Sequence, residues 1–240
     1  MMKYTERHNL KLCLATMFML AGLSLAAQDF KQALLKMQKE NGEARQLHVK
    51  MTIKAFDNKS SKEAFYNQKA EIKKDQQNYF SRFADTEMLL NSKYTVMVTH
   101  GNKRIVFNRR DVKSELEFKD PLKLNLDSLL TAYGVSSYMG EKENLAHYRI
   151  KHAKGAIAYT DMFFASQTDQ LKKIEYYYKQ GQRVTIDIDL FDKQPVFSPE
   201  TFDENEYFVE RNGKPEPTPA YFKYKVVDAV AGKKIANNNH

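Results

Sequence analysis

The 240-residue chain contains no Trp and a single cysteine, Cys13. One thiol closes no internal disulfide and is too few for a zinc cluster or an iron–sulfur centre, which excludes cysteine frameworks and metal knots. Glycine is scarce too, at 9 residues, and no glycine-rich loop of the kind that cradles phosphate occurs. A Gly-x-Ser-x-Gly nucleophile elbow is also missing. Beyond one N-terminal stretch, no apolar run approaches the roughly 20 residues that cross a bilayer as a helix. The chain is nevertheless no disordered tail. Its residues are 42% hydrophobic and 12% aromatic, with 14 Tyr and 15 Phe, enough for a sizeable core.

The N-terminus indicates where the protein works. Lys3, Arg7 and Lys11 precede an apolar run from Leu12 to Leu25, and Ser24-Leu25-Ala26-Ala27 places small residues before Gln28. This is the pattern of a secretory signal peptide over residues 1–27, cleaved after Ala26 or Ala27. Cys13 opens the apolar run instead of closing it behind a small residue, so it is not a lipobox cysteine and leaves with the signal. The expected mature chain is soluble, free of cysteine and located in the bacterial periplasm. Cleavage leaves 35 basic against 29 acidic residues and lowers the formal charge from +8 to +6. Lys103-Arg104, Arg109-Arg110 and Lys172-Lys173 are the tightest basic groups. They read as a solvated face, with attraction to anionic lipid or an acidic partner as the functional alternative. Nucleic acid is not an expected partner of an exported chain.

Hydrophobic periodicity predicts a strand-rich domain. Asp29 and Gln32 form a capping box, and Phe30, Ala33, Leu34 and Met37 repeat at i, i+3, i+4 and i+7, giving a short amphipathic helix. From Leu47 the period becomes two, with Leu47, Val49, Met51 and Ile53 on one face and His48, Lys50, Thr52 and Lys54 on the other. Further strands are expected around residues 64–73, 78–83, 87–90, 94–100, 104–108, 147–152, 156–165, 171–178 and 183–191, with Gly101-Asn102 turning one hairpin. Asn125 caps a second helix whose apolar positions are Leu126, Leu129, Leu130 and Tyr133. The fold class is mainly β (α+β): a curved antiparallel sheet, or incomplete β-barrel, of about nine strands covered by short helices. Residues 28–211 form this one domain. Residues 212–240 form a Pro-spaced extension, in which Pro215, Pro217 and Pro219 make an extended linker and Tyr221 to Val227 an edge strand.

Catalytic chemistry is not visible in this pattern. No histidine has metal-ligand spacing, and Asp187 and Asp189 share a strand face that also carries Thr185, most simply a wet face. No enzymatic activity, cofactor or metal is expected. What stands out is Met and aromatic content on the strands, which serves either as core or as the lining of an adaptable apolar cavity for acyl chains. Each buried methylene contributes roughly 0.8 kcal/mol, so such a cavity needs few polar contacts and leaves no motif. Its candidate lining is Val49, Met51, Ile53, Ile72, Phe80, Met97, Phe107, Leu129, Leu130, Tyr176, Ile186 and Ile188.

Several segments resemble the outer-membrane lipoprotein carriers, the LolA/LolB-like group. They are the short helix at 29–40, the strand from Leu47 to Phe56, Lys73-Lys74 ahead of Asn78-Tyr79-Phe80, the hairpin from Val98 to Asn108, and the stretch from Leu171 to Phe197-Ser198-Pro199-Glu200. The resemblance implies an incomplete barrel with a helical lid over an apolar cavity, acylated lipoproteins or lipids as cargo, and transient contact with a membrane surface. It also implies lid control at Lys73 and Lys74, where the carriers use an arginine; lysine lacks the bidentate guanidinium fork. The chain departs again at His100-Gly101-Asn102, where the family has Asp-Gly. The expected function is a soluble carrier that ferries acyl chains toward the outer membrane. The alternative is a scaffold subunit of an envelope complex, with a protein partner and no lipid cargo.

Overall fold

A computed structural model describes Phe30, Gln32, residues 34–37, Lys39, residues 44–110 and residues 136–229. The expected signal peptide and the helix around Leu126 to Tyr133, with Leu129 and Leu130, lie outside the described residues. Twelve strands hydrogen-bond in the order β14 (Lys225–Asp228), β6 (Arg104–Arg109), β5 (Tyr94–Thr99), β4 (Thr86–Leu90), β3 (Asn78–Phe83), β2 (Tyr66–Asp75), β1 (Gln46–Phe56), β11 (Arg183–Asp192), β10 (Gln170–Tyr178), β9 (Ile157–Ala165), β8 (Leu145–Lys151) and β7 (Ser136–Lys142), so about nine strands was too few. Among the described residues the strands at the two ends of this order do not pair with each other. Helices are scarce: besides the N-terminal helical residues and Ala229, the described residues include only short 3-10 turns. Two compact units divide the chain, one of Met1–Gly42, Ala55–Ala64 and Leu122–Thr185, the other of Glu43–Lys54, Phe65–Pro121 and Ile186–His240.

The first unit holds β7 (Ser136–Lys142), β8 (Leu145–Lys151), β9 (Ile157–Ala165) and β10 (Gln170–Tyr178), paired antiparallel in sequence order. Register places Tyr148 opposite Met162 and Ile150 opposite Thr160, so these side chains share a face. The N-terminal helix packs there. Phe30 and Leu34 are buried with Tyr148, Ile150, Met162 and Phe164, and Met37 packs against them, as the i, i+4, i+7 spacing requires. The opposite face is polar. Arg149 grips the buried Asp161 through two 2.7 Å hydrogen bonds and lies 4.1 Å over the Tyr159 ring, which stacks on Tyr177. His147 Nε2 is 3.2 Å from Asp161 but off the hydrogen-bonding direction; its ring stacks instead on Phe163. β7 escapes a periodicity search because Ser-Ser-Tyr-Met-Gly-Glu-Lys has no apolar alternation and carries a register shift between Tyr138 and Gly140.

The second unit holds most of β1 (Gln46–Phe56), then β2 (Tyr66–Asp75), β3 (Asn78–Phe83), β4 (Thr86–Leu90), β5 (Tyr94–Thr99) and β6 (Arg104–Arg109), and most of β11 (Arg183–Asp192). β12 (Phe208–Arg211), β13 (Lys214–Pro217) and β14 (Lys225–Asp228) complete it. The supposed linker is a hairpin. Asn212 (φ 53°) and Gly213 (φ 71°) turn β12 into β13, with Phe208 opposite Pro217 and Glu210 opposite Pro215. Asn-Gly is the strongest two-residue hairpin signal, and it outweighs the extended bias of the following prolines. β14 adds to the sheet as an edge strand, running parallel to β6 with Lys225 beside Arg104.

Candidate apolar binding face

Strand register divides the second unit into two faces. One row runs Lys73-Phe80-Leu89-Val96-Phe107, and the next runs Glu71-Arg82-Glu87-Val98-Ile105. Because opposed residues on antiparallel strands point the same way, both rows lie on one face. The C-terminal segment seals it: Phe202, Tyr207 and Phe208 are buried with Phe80, Leu89, Val96, Val98, Ile105 and Phe107, while Tyr221 and Tyr224 pack alongside. Phe208 stacks on Phe107 with ring centres 4.6 Å apart.

A buried carboxylate ties this segment to the sheet. Glu87 accepts hydrogen bonds from Arg82 Nε and from the Tyr207 hydroxyl, each at 3.0 Å, and lies 3.0 Å from His100 Nε2. His100 Nδ1 is 2.8 Å from the Tyr224 hydroxyl, so both ring nitrogens have partners. A buried charge is tolerated only when paired and hydrogen-bonded, and this one is. Burial, reinforced by the charge of Glu87, raises the Tyr207 phenol well above its ordinary value and pushes Tyr221 up to about 12.

The other face is different. Ile72, Ser81, Met88, Met97 and Val106 stand opposite one another in a single row across β2 to β6. His48 lies 2.8 Å from Glu71, and Thr52 donates to Asp189 at 2.7 Å, which puts these polar groups on the sealed side. Strand alternation therefore turns Val49, Met51, Ile53, Ile186 and Ile188 to the side of the Ile72–Val106 row. Val49 is buried, whereas Met51, Ile53, Ile72, Met88, Val106, Ile186 and Ile188 are half-buried. Met97 is 45% exposed, and Phe83 and Leu190, on the same side, are 46% and 37% exposed. Methionine suits such a surface, since its unbranched thioether adapts to irregular apolar ligands.

Seven of the expected lining residues thus meet on one face: Val49, Met51, Ile53, Ile72, Met97, Ile186 and Ile188. Phe80 and Phe107 turn to the opposite side and belong to the packed core. Tyr176 belongs to the first unit, opposite Thr160. Lys73 and Lys74 diverge as well. Lys73 sits on the sealed side, 3.6 Å from Glu71 and 5.2 Å over the Phe80 ring, while Lys74 is buried on the apolar side opposite Tyr79. Glu71 is correspondingly acidic: burial works against its charge, but the His48 hydrogen bond and the charges of Lys73 and Lys50 outweigh it. Asp187 and Asp189 do share a face, where they meet Lys54 and Thr52 of β1.

Met88 and Val106 were missing from the expected lining, and only cross-strand register identifies them. Two depressions are also present, of about 530 Å³ beside Lys36, Tyr138 and Asp169 and about 450 Å³ beside Lys93, Phe197 and Glu204; neither is lined by any expected cavity residue. No group of three or more His, Cys, Asp or Glu suited to a metal occurs among the described residues.

No protein-family model and no curated protein matches the chain. Among solved structures it is similar to an uncharacterized conserved protein from Thermus thermophilus, at 8% identity over 83% of this chain and 99% of that one, with a TM-score of 0.46. A chain of the Pseudomonas aeruginosa MucA/MucB complex is similar at 10% identity over 73% of this chain and 60% of its own, TM-score 0.41. A LolA superfamily protein from Nitrosomonas europaea is similar at 9% identity, over 75% and 98% of the two chains, TM-score 0.31.

Proposed function

We propose that the protein is a periplasmic, non-enzymatic carrier that binds the acyl chains of lipids or lipoproteins against the second unit's apolar face and delivers them toward the outer membrane. The observation that carries this reading is the contrast between the two faces. One is closed by its own C-terminal segment around a fully bonded carboxylate. The other presents a row that includes Ile72, Met88, Val106 and a 45% exposed Met97. Apolar area removed from water is worth roughly 25 cal/mol per Å², so an acyl chain laid along this row is held without polar anchors. Native mass spectrometry of the purified mature chain, followed by lipid extraction, tests the reading. Co-purified acyl lipid is the expected result, and a ligand-free chain that takes none up contradicts it.

A second reading, a scaffold subunit without lipid cargo, is favoured by β14. This strand ends the sheet order, so one of its edges is unpaired among the described residues. Such an edge is where a partner's extended segment adds. Lys225 N–H donates to Lys103 O, so alternation points the Val226 N–H toward the open edge. A lipid-free chain holding a stoichiometric protein partner that Val226→Pro loses would favour this reading over the carrier. Deleting residues 212–240 does not separate the two, because it strips Tyr221, Tyr224 and Val226 from the core.

A further inference from the structure

Three chain segments converge at one end of the second unit's sheet. The β3–β4 turn touches the β5–β6 turn, where His100 N–H donates to Asp85 O at 2.8 Å and Gly101 N–H to the Asp85 carboxylate at 3.3 Å. The third segment, residues 222–225, joins them through Lys225 N–H donating to Lys103 O at 2.9 Å. At this end Phe83 is 46% exposed and Phe222 is 70% exposed. Phe65, 63% exposed, immediately precedes β2, whose Ala70 stands opposite Phe83. Among the described residues these are the only exposed phenylalanines, and all fall at one end.

Cations surround them. Lys103, Arg104, Lys223 and Lys225 are all exposed, none pairs with a carboxylate among the described residues, and Lys223 Nζ lies 5.2 Å over the Phe222 ring. Asp85, in the β3–β4 turn, is engaged by Gly101 N–H and the Thr86 hydroxyl. Isolated exposed apolar residues are ordinary and mean little. Large aromatics collected on one rim among unpaired cations are not, because that combination matches the boundary of an anionic bilayer, where rings enter the acyl region and cations meet the headgroups.

We infer that this end is a docking tip for an anionic lipid bilayer: Phe83 and Phe222 insert, while Lys103, Arg104, Lys223 and Lys225 hold the headgroups. Phe83 lies on the side of the apolar row, whereas Phe222, Lys103 and Lys223 are not part of that row, so variants at those three positions test the tip independently of the carrier reading. Co-sedimentation of the mature protein with vesicles tests it, comparing phosphatidylglycerol mixed into phosphatidylcholine with phosphatidylcholine alone. Binding is expected only to the anionic vesicles and falls with added salt. Each Lys or Arg near such a surface is worth about fivefold in partitioning, so Lys103→Gln with Lys223→Gln weakens binding about 30-fold. Phe222→Ser also weakens it, while this variant and the lysine double variant keep the wild-type melting temperature and fatty-acid uptake. Conversely, Met97→Asp leaves vesicle binding intact. Equal binding to both vesicle types, or an unaffected lysine variant, overturns the proposal. So does an unaffected phenylalanine variant, which would make the surface purely electrostatic and fit an acidic protein equally well.

Discussion

Replacing Phe208 by Ala tests whether the C-terminal segment is an integral layer of the second unit. Phe208 is 1% exposed, stacks on Phe107 at 4.6 Å and meets Tyr94 edge-on at 5.5 Å. Truncating a buried Phe to Ala removes its transfer free energy and leaves a cavity, together about 3–5 kcal/mol. The upper half of that range is expected, because two aromatic contacts are lost with it and β5 and β6, held by their own ladder, cannot collapse onto the space. Urea unfolding gives the overall loss. With two compact units the transition need not be two-state, so hydrogen exchange at β5 and β6 amides assigns the loss to the second unit. Phe222→Ala, at a 70% exposed position of the same segment, serves as control and should change stability by less than about 0.5 kcal/mol. A Phe208→Ala loss below about 1 kcal/mol, or equal losses in both variants, would refute the packing argument.

Other consequences follow from single contacts. Arg149→Met takes both guanidinium hydrogen bonds from Asp161, which is 2% exposed, and should cost on the order of 3 kcal/mol in thermal or urea unfolding; a neutral result would mean that the carboxylate is not held as described. Tyr221 ionises at about 12 in the folded chain, raised by burial and then by Glu87, against about 10 unfolded. Its contribution to stability is therefore intact below pH 10 and is lost as pH rises through 12. Spectrophotometric titration compared with Tyr221→Phe should show one phenol fewer titrating in that window, and ordinary titration near pH 10 would contradict this. Gly213→Val should cost about 1–2 kcal/mol through backbone strain alone, since φ is +71° and an added Cβ meets nothing within 4 Å. A stability change near zero would place the β12–β13 turn in another conformation.

Much of the fold is legible in the sequence wherever a strand has one wet face. Leu47 to Lys54 alternates cleanly, and the pairing of His48 with Glu71 and Thr52 with Asp189 confirms which side is polar. β7 is illegible because its residues have little to bury. The C-terminal layer is hidden for another reason: Phe202, Tyr207, Phe208, Tyr221 and Tyr224 follow no helical or strand period, since turns and a hairpin deliver them to the core. The site was half legible. Alternation finds the apolar side of each strand but not which strands' sides coincide, so Phe80 and Phe107 were grouped with Met97 although register turns them the other way. The Glu87 cluster joins residues 5, 13 and 120 positions apart in sequence, a spacing that no local pattern encodes.

The most direct test of the carrier reading is titration of the mature protein with a fluorescent fatty acid, alongside Met97→Asp and Met51→Asp. Both substitutions place a carboxylate on the half-exposed apolar face without touching the sealed core. Saturable uptake by the wild type, with at least a tenfold loss of affinity in each variant and unchanged melting temperature, is the predicted result, because a charge left unpaired against an acyl chain costs more than about 1.4 kcal/mol. No uptake by the wild type, or equal uptake by all three proteins, would contradict it.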